Sequence, residues 1–267
     1  MTRPEWAPEG IDISVPNAAR MYDYSLGGFH NFAVDREMVE KVVAMAPNAR
    51  QIGLANRAFL GRAVRHLVAG GVRQFLDVGS GIPTLASTHE VAQQADPRAR
   101  VMYVDIDSVA VAHGRAILAD NPNADVMLGD VRTPDDIVRD PAVSGLLDFT
   151  EPIAVLLIAV LHFVPDADDP AGIVRRFREA VKPGSFVVVS HGSPPPQREE
   201  DAEKVSSVYQ RTSTPLHLRS ADQIRALLAG LEIVEPGVVP VTDWHPEPDD
   251  AGTEQRPEVL AVVGRKP

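Results

Sequence analysis

A chain of 267 residues, 44% hydrophobic and 24% charged, can bury a large α/β core without covalent staples. It has no cysteine, which excludes disulfides, thiol catalysis and cysteine-ligated zinc and suits a reducing cytoplasm. A formal net charge of −11 disfavours general affinity for nucleic acid. The first residues carry no secretory pattern. The longest apolar run, residues 153–164, contains His162 and is too short to span a membrane. A cytoplasmic protein without membrane or nucleic-acid partners and without a metal is therefore expected.

Residues 1–70 read as a helical cap. Residues 16–28 predict a polar-aromatic helix ended by Gly27-Gly28, and Asp35 is the expected N-cap of a second helix running to about Ala46. Pro47 and Asn48 break that helix. Residues 56–68 then place Phe59, Leu60, Val64 and Leu67 on one face of a third, closed by Gly70-Gly71. Arg20, Tyr22, Asp23, Tyr24, His30, Asn31 and Arg57 crowd this segment more densely than packing requires, which makes some of them candidates for a ligand site.

Residues 71–267 read as alternating strands and helices, joined with the cap in one compact unit. Phe75, Leu76 and Val78 predict a buried strand that ends in the turn Gly79-Ser80-Gly81. Asp77, at the carboxyl end of that strand, would repel a dinucleotide pyrophosphate, and Thr84 stands where a nucleotide fingerprint wants a small residue. A ligand with a cationic amino-acid portion, such as S-adenosylmethionine, suits the turn better. The second strand, residues 101–104, ends in Asp105-Ile106-Asp107. Its first acid is placed for a ribose, and Asp107 is the expected N-cap of the next helix. The third strand, residues 124–128, runs into Gly129-Asp130-Val131, where an acid at the tip can accept from the adenine amine.

Residues 153–158 are continuously apolar, as expected of a strand covered on both faces. Ile158 and Ala159 follow at its tip beside the glycine turn, and His162 is a candidate general base, although a packing or capping role competes. A helix over 171–181 and a strand over 185–189 come next. A charged helix is expected at 199–210, in a segment that is either a lid or a solvated insertion. Ser220-Ala-Asp-Gln223 spells a capping box, and strands at 231–234, 238–241 and 259–263 close the chain.

The order Asp77-x-Gly79-x-Gly81, Asp105, Gly129-Asp130 and Lys182-Pro183-Gly184 resembles class I S-adenosylmethionine-dependent methyltransferases. More specifically, Asn17-Ala-Ala-Arg20-Met-Tyr22-Asp-Tyr-x-Leu-Gly-Gly-x-x-Asn31-Phe32, Asn56-Arg-Ala-Phe-Leu60 and the segment 74–84 resemble the bacterial S-adenosyl methyltransferase family. That resemblance covers about residues 13–265 and implies a doubly wound, seven-stranded, mostly parallel Rossmann-like α/β sheet. It implies cofactor contacts from Asp77, Gly79, Ser80 and Gly81, from Asp105 and Ile106, from Gly129, Asp130 and Val131, and from Ile158 and Ala159. Arg20 is expected to meet the cofactor carboxylate and Tyr22 to pack on the methionine arm, with Tyr22 and His162 the candidates for catalysis. Phe29-His30 replaces the family's usual Lys-Asp. Three activities are carried forward: methyl transfer to a small molecule, cofactor binding without turnover, and nicotinamide-dependent redox chemistry, which Asp77 and Thr84 disfavour.

Overall fold

The apolar runs assemble as their pattern demands, edge to edge in one sheet with helices on both faces. The computed structural model describes residues 12–84, 86–194, 215–247 and 259–267. Five parallel strands lie in the order β3 (Ala124–Leu128), β2 (Arg100–Asp105), β1 (Gln74–Val78), β4 (Ala154–Ile158) and β5 (Phe186–Gly192). β8 (Val259–Arg265) joins β5 antiparallel, and the far edge is shared by two short strands, β6 (Glu232–Ile233) and β7 (Val239–Pro240). The family resemblance implies seven strands, and the residue pattern already places a Pro-Gly bend between residues 234 and 238. Eight are found because Pro236 and Gly237 interrupt the edge strand, which leaves one position in the sheet occupied by two fragments.

Every β1 residue is buried, and so are the first four of β4, which explains their unbroken apolar character. Strand order reverses between β1 and β4, so the two tips diverge and leave a crevice at the carboxyl ends. α4 (Thr88–Ala95), α5 (Ser108–Leu118) and α8 (Pro170–Ala180) make three of the crossovers. α6 (Pro134–Arg139) and α7 (Pro141–Leu146) share a fourth, and α9 (Ala221–Leu227) leads to the edge. Asp107 caps α5 as its sequence predicts, accepting from Val109 N at 2.8 Å, and the Ser220–Gln223 capping box starts α9.

The cap consists of α1 (Ala18–Ser25), α2 (Ala33–Met45) and α3 (Ala49–Ala69). Asp35 is a correction: it is the third residue of α2, not its N-cap. Its buried carboxylate accepts from Phe32 N at 2.8 Å and Asn17 N at 3.0 Å, tying the starts of α1 and α2 together. α3 begins seven residues before the predicted span, because the chain re-enters a helix directly after Asn48. Its Phe59, Leu60, Ala63, Val64 and Leu67 pack in the same core as Phe75, Val101, Leu156, Val188 and Trp244. The charged helix expected at 199–210 lies outside the described residues.

Candidate active site

A cavity of about 480 Å³ opens over the crevice, with the strand tips as its floor and α1–α3 as its roof. Tyr22, Asp77, Gly79, Ser80, Gly81, Asp105, Ile106, Asp130, Val131, Ile158, Ala159 and His162 all line it. Residues as far apart in the chain as Asn17 and Val259 thus meet in one chamber.

The turn after β1 is held from both sides. Gly79 adopts φ +73°, and a Cβ there would lie 2.3 Å from Val160 Cγ2, so the left-handed backbone and the close approach of the β4 tip both demand glycine. Gly81 N donates to Asp105 Oδ2 at 2.7 Å while Asp107 N donates to Asp105 Oδ1 at 2.8 Å. The β2 acid therefore organises the glycine turn as well as facing the cavity. Burial pushes the Asp105 carboxyl up to about 6 against those two bonds. Burial likewise raises Asp77 to about 6, although Thr88 Oγ1 donates to it at 2.6 Å and the Arg57 charge opposes the shift.

At the β3 tip, Asp130 turns to Arg132, with Nη2–Oδ2 at 2.5 Å. Gly129 is not among the cavity residues; a Cβ on it would lie 2.7 Å from Val104 Cγ1, so it serves close packing beneath the site. Ala159, with φ +53°, turns the chain sharply out of β4, its N–H held by Ser190 Oγ at 2.9 Å and Ser190 O at 3.1 Å.

Arg20 differs most from its expected place. It is buried and does not line the cavity; its Nε faces Asp35 at 3.3 Å and Asp107 at 3.6 Å, Nη2 donates to Val15 O, and the guanidinium lies over Phe32. Two buried carboxylates hold a buried cation more strongly than an open crevice would. Asp23 accepts from His30 N and Asn31 Nδ2, and Tyr24 donates to Glu40, so these polar residues fasten the α1–α2 turn. Of the seven crowded polar residues, only Tyr22 and Arg57 line the cavity.

Arg57 and Asn56 are the cation and amide that the expected contacts omit. Asn56 is buried, its Nδ2 donating to the Tyr22 hydroxyl at 3.3 Å, and the hydroxyl in turn donates to Gly53 O at 3.0 Å. Among the described residues, the buried Nε of Arg57 and Oδ1 of Asn56 have no hydrogen-bond partner. One signal was present in the sequence: Asn56 shares a helical stripe with Phe59, Leu60 and Ala63, where an amide is costly unless a partner arrives. Thr88, by contrast, carries no local mark of its bond to Asp77.

A parallel sheet with an antiparallel final pair, a glycine turn flanked by acids at successive strand tips and a helical roof define the class I methyltransferase fold. The chain belongs to the S-adenosyl methyltransferase family, whose pattern it matches over residues 4–267, and its cofactor is S-adenosylmethionine. It is similar to a DUF574 family protein from Streptomyces avermitilis, 36% identical with TM-score 0.91 over 96% of this chain and 99% of that one. A methyltransferase candidate from Thermobifida fusca is 37% identical, with TM-score 0.91 over 98% and 99%. The N-methyltransferase NodS from Bradyrhizobium japonicum, in complex with S-adenosyl-L-homocysteine, shares the fold at 13% identity and TM-score 0.53, over 93% and 99%. A search of curated proteins returns no match. Among the described residues no helix is long and apolar enough to cross a membrane.

Proposed function

We propose that the protein moves the methyl group of S-adenosylmethionine to a small molecule in the cytoplasm, and that Arg57, Asn56 and Asp77 bind the cofactor's amino-acid end. The observation that carries this reading is a pair of buried atoms, Arg57 Nε and Asn56 Oδ1, that have no hydrogen-bond partner among the described residues and lie in one cavity with Asp77. A zwitterion answers all three: its carboxylate satisfies the guanidinium, and its ammonium takes the amide oxygen and the Asp77 carboxylate. Asp105 then receives the ribose hydroxyls, while Asp130, Val131 and Ile106 surround the adenine. When bound, the cofactor supplies an electrophilic methyl group on a sulfonium. The chain's own task is to fix the acceptor in line with it and exclude water beneath α1–α3.

Arg57→Met tests the assignment. It should weaken S-adenosylhomocysteine about ten- to a hundredfold by calorimetry and leave adenosine, which lacks the carboxylate, nearly unchanged. Equal loss for both ligands would reduce Arg57 to a packing role. Transfer of labelled methyl into a metabolite extract then separates turnover from binding alone; a cofactor-bound protein that labels nothing would be a sensor.

A further inference from the structure

Resting on the methyl-transfer reading above, we infer that His162 is a hydrogen-bond donor that grips an oxygen of the methyl acceptor, and that the acceptor is an acidic hydroxyl compound that enters as its oxyanion. His162 lies just past the β4 tip on the cavity wall, and a chain of hydrogen bonds behind it fixes where its proton sits. Asp166 Oδ1 holds Arg219 Nη2 at 2.6 Å, and the same guanidinium donates to Leu161 O and Val164 O. Arg219 Nη1 reaches His191 Nε2 at 2.9 Å. Arginine cannot accept, so His191 carries its proton on Nδ1 and gives it to Gly192 O at 2.7 Å. On the other side of that residue, Gly192 N donates to His162 Nδ1 at 3.1 Å. The Nδ1 lone pair is thereby occupied, the ring proton is confined to Nε2, and Nε2 has no protein partner among the described residues.

With its one lone pair, on Nδ1, already taken by Gly192 N, the neutral ring has no free acceptor for a proton from the cavity. Becoming a cation is opposed by burial first, then by His191 and Arg219, which hold His162 well below the usual histidine range. The carboxylates on the cavity wall are committed elsewhere: Asp130 and Asp168 to Arg132, Asp105 to two backbone amides and Asp77 to Thr88. An acceptor that must lose its proton inside the site thus finds no base in this group. An enol or phenol made acidic by electron-withdrawing groups needs none, because unlike the tyrosine phenol, with its pKa of about 10, it is already ionised in water near neutral pH. Its lone pair forms the O–C bond, the C–S bond breaks with its electron pair on sulfur, the two opposite charges cancel, and no proton moves. The roof above, with Met21, Val39, Val42, Ile52 and Leu60, offers this acceptor an apolar wall.

The test uses the full chain saturated with S-adenosylhomocysteine; if that ligand fails to bind, the cofactor reading falls and this inference with it, whereas the outcomes below, read on the loaded protein, bear on this inference alone. Long-range ¹H–¹⁵N spectra of histidine-labelled protein, assigned through His162→Gln, should show His162 protonated on Nε2 alone and still neutral as pH falls to about 5. Ionised 4-nitrophenol should bind and move that signal, and benzylamine should not. His162→Phe should weaken the phenolate about tenfold or more, whereas His162→Gln, which keeps an N–H near the Nε2 position, should retain most of the affinity. A ring protonated on Nδ1, an ordinary histidine titration, no phenolate binding, or undiminished binding to His162→Phe would each overturn the inference. So would a loss that follows His217→Gln instead, since His217 is the other imidazole on the wall.

Discussion

Asp77 and Asp105 both line the cavity, and burial pushes both up to about 6. An unfolded aspartate titrates near 3.9, well below either buried carboxyl. The folded, ligand-free protein binds these protons more tightly than the unfolded chain does. Their contribution to stability is therefore fully present below about pH 4 and is lost as pH rises through about 6. A ligand ammonium and ribose hydroxyls favour the ionised forms and reverse the balance. Cofactor binding is then expected to release protons near pH 6, with affinity falling on acidification below that point. Calorimetry in two buffers of different ionisation heat measures the release directly. Asp77→Asn should remove part of it; proton release that is unchanged in this variant would dissociate Asp77 from the ligand.

Among the elements, α1 and α2 with their joining turn are the part of the molecule where residue patterns were hardest to read. The strands were legible because burial on both faces leaves no alternative to an apolar run, and Asp107 was legible as a cap because its bond is local. Arg20 was not. Its charge marks a need for partners but not which ones, and Asp35 and Asp107 reach it only through the tertiary fold. α4 escaped the sequence pattern for a different reason: Thr88–Ala95 is short and half polar, so its apolar face is too brief to declare a period. Asn17, Met21 and Tyr22 of the roof line the cavity, so ligand binding should still be felt there. Hydrogen exchange with S-adenosylhomocysteine should slow across residues 17–32 as well as at the Gly79 turn. Protection confined to the strand tips would make α1–α2 a passive roof.

At the scale of the whole molecule, α3 ties the two ends of the chain together. Its buried Arg62 donates through Nε to Trp244 O at 3.0 Å and through Nη2 to Val241 O at 2.5 Å, both beyond the last edge strand. Trp244 itself packs edge-on against Phe59 at 5.5 Å. Arg62→Met would leave two carbonyls without their charged donor and should cost about 2–4 kcal/mol in urea unfolding. One cooperative transition, shifted downward, is the expected result. If the cap unfolded separately, leaving residues 71–267 intact, the cap and the sheet would be independent folding units.

The Arg62 contacts also govern how such a gene can be recombined. The partners stand 182 and 179 positions apart, so a crossover at the cap's end would pair one parent's helix with the other's edge loop. Exchanges that import a new roof must carry the edge segment with Val241 and Trp244 along. The roof and the carboxyl-terminal edge are then inherited as one block.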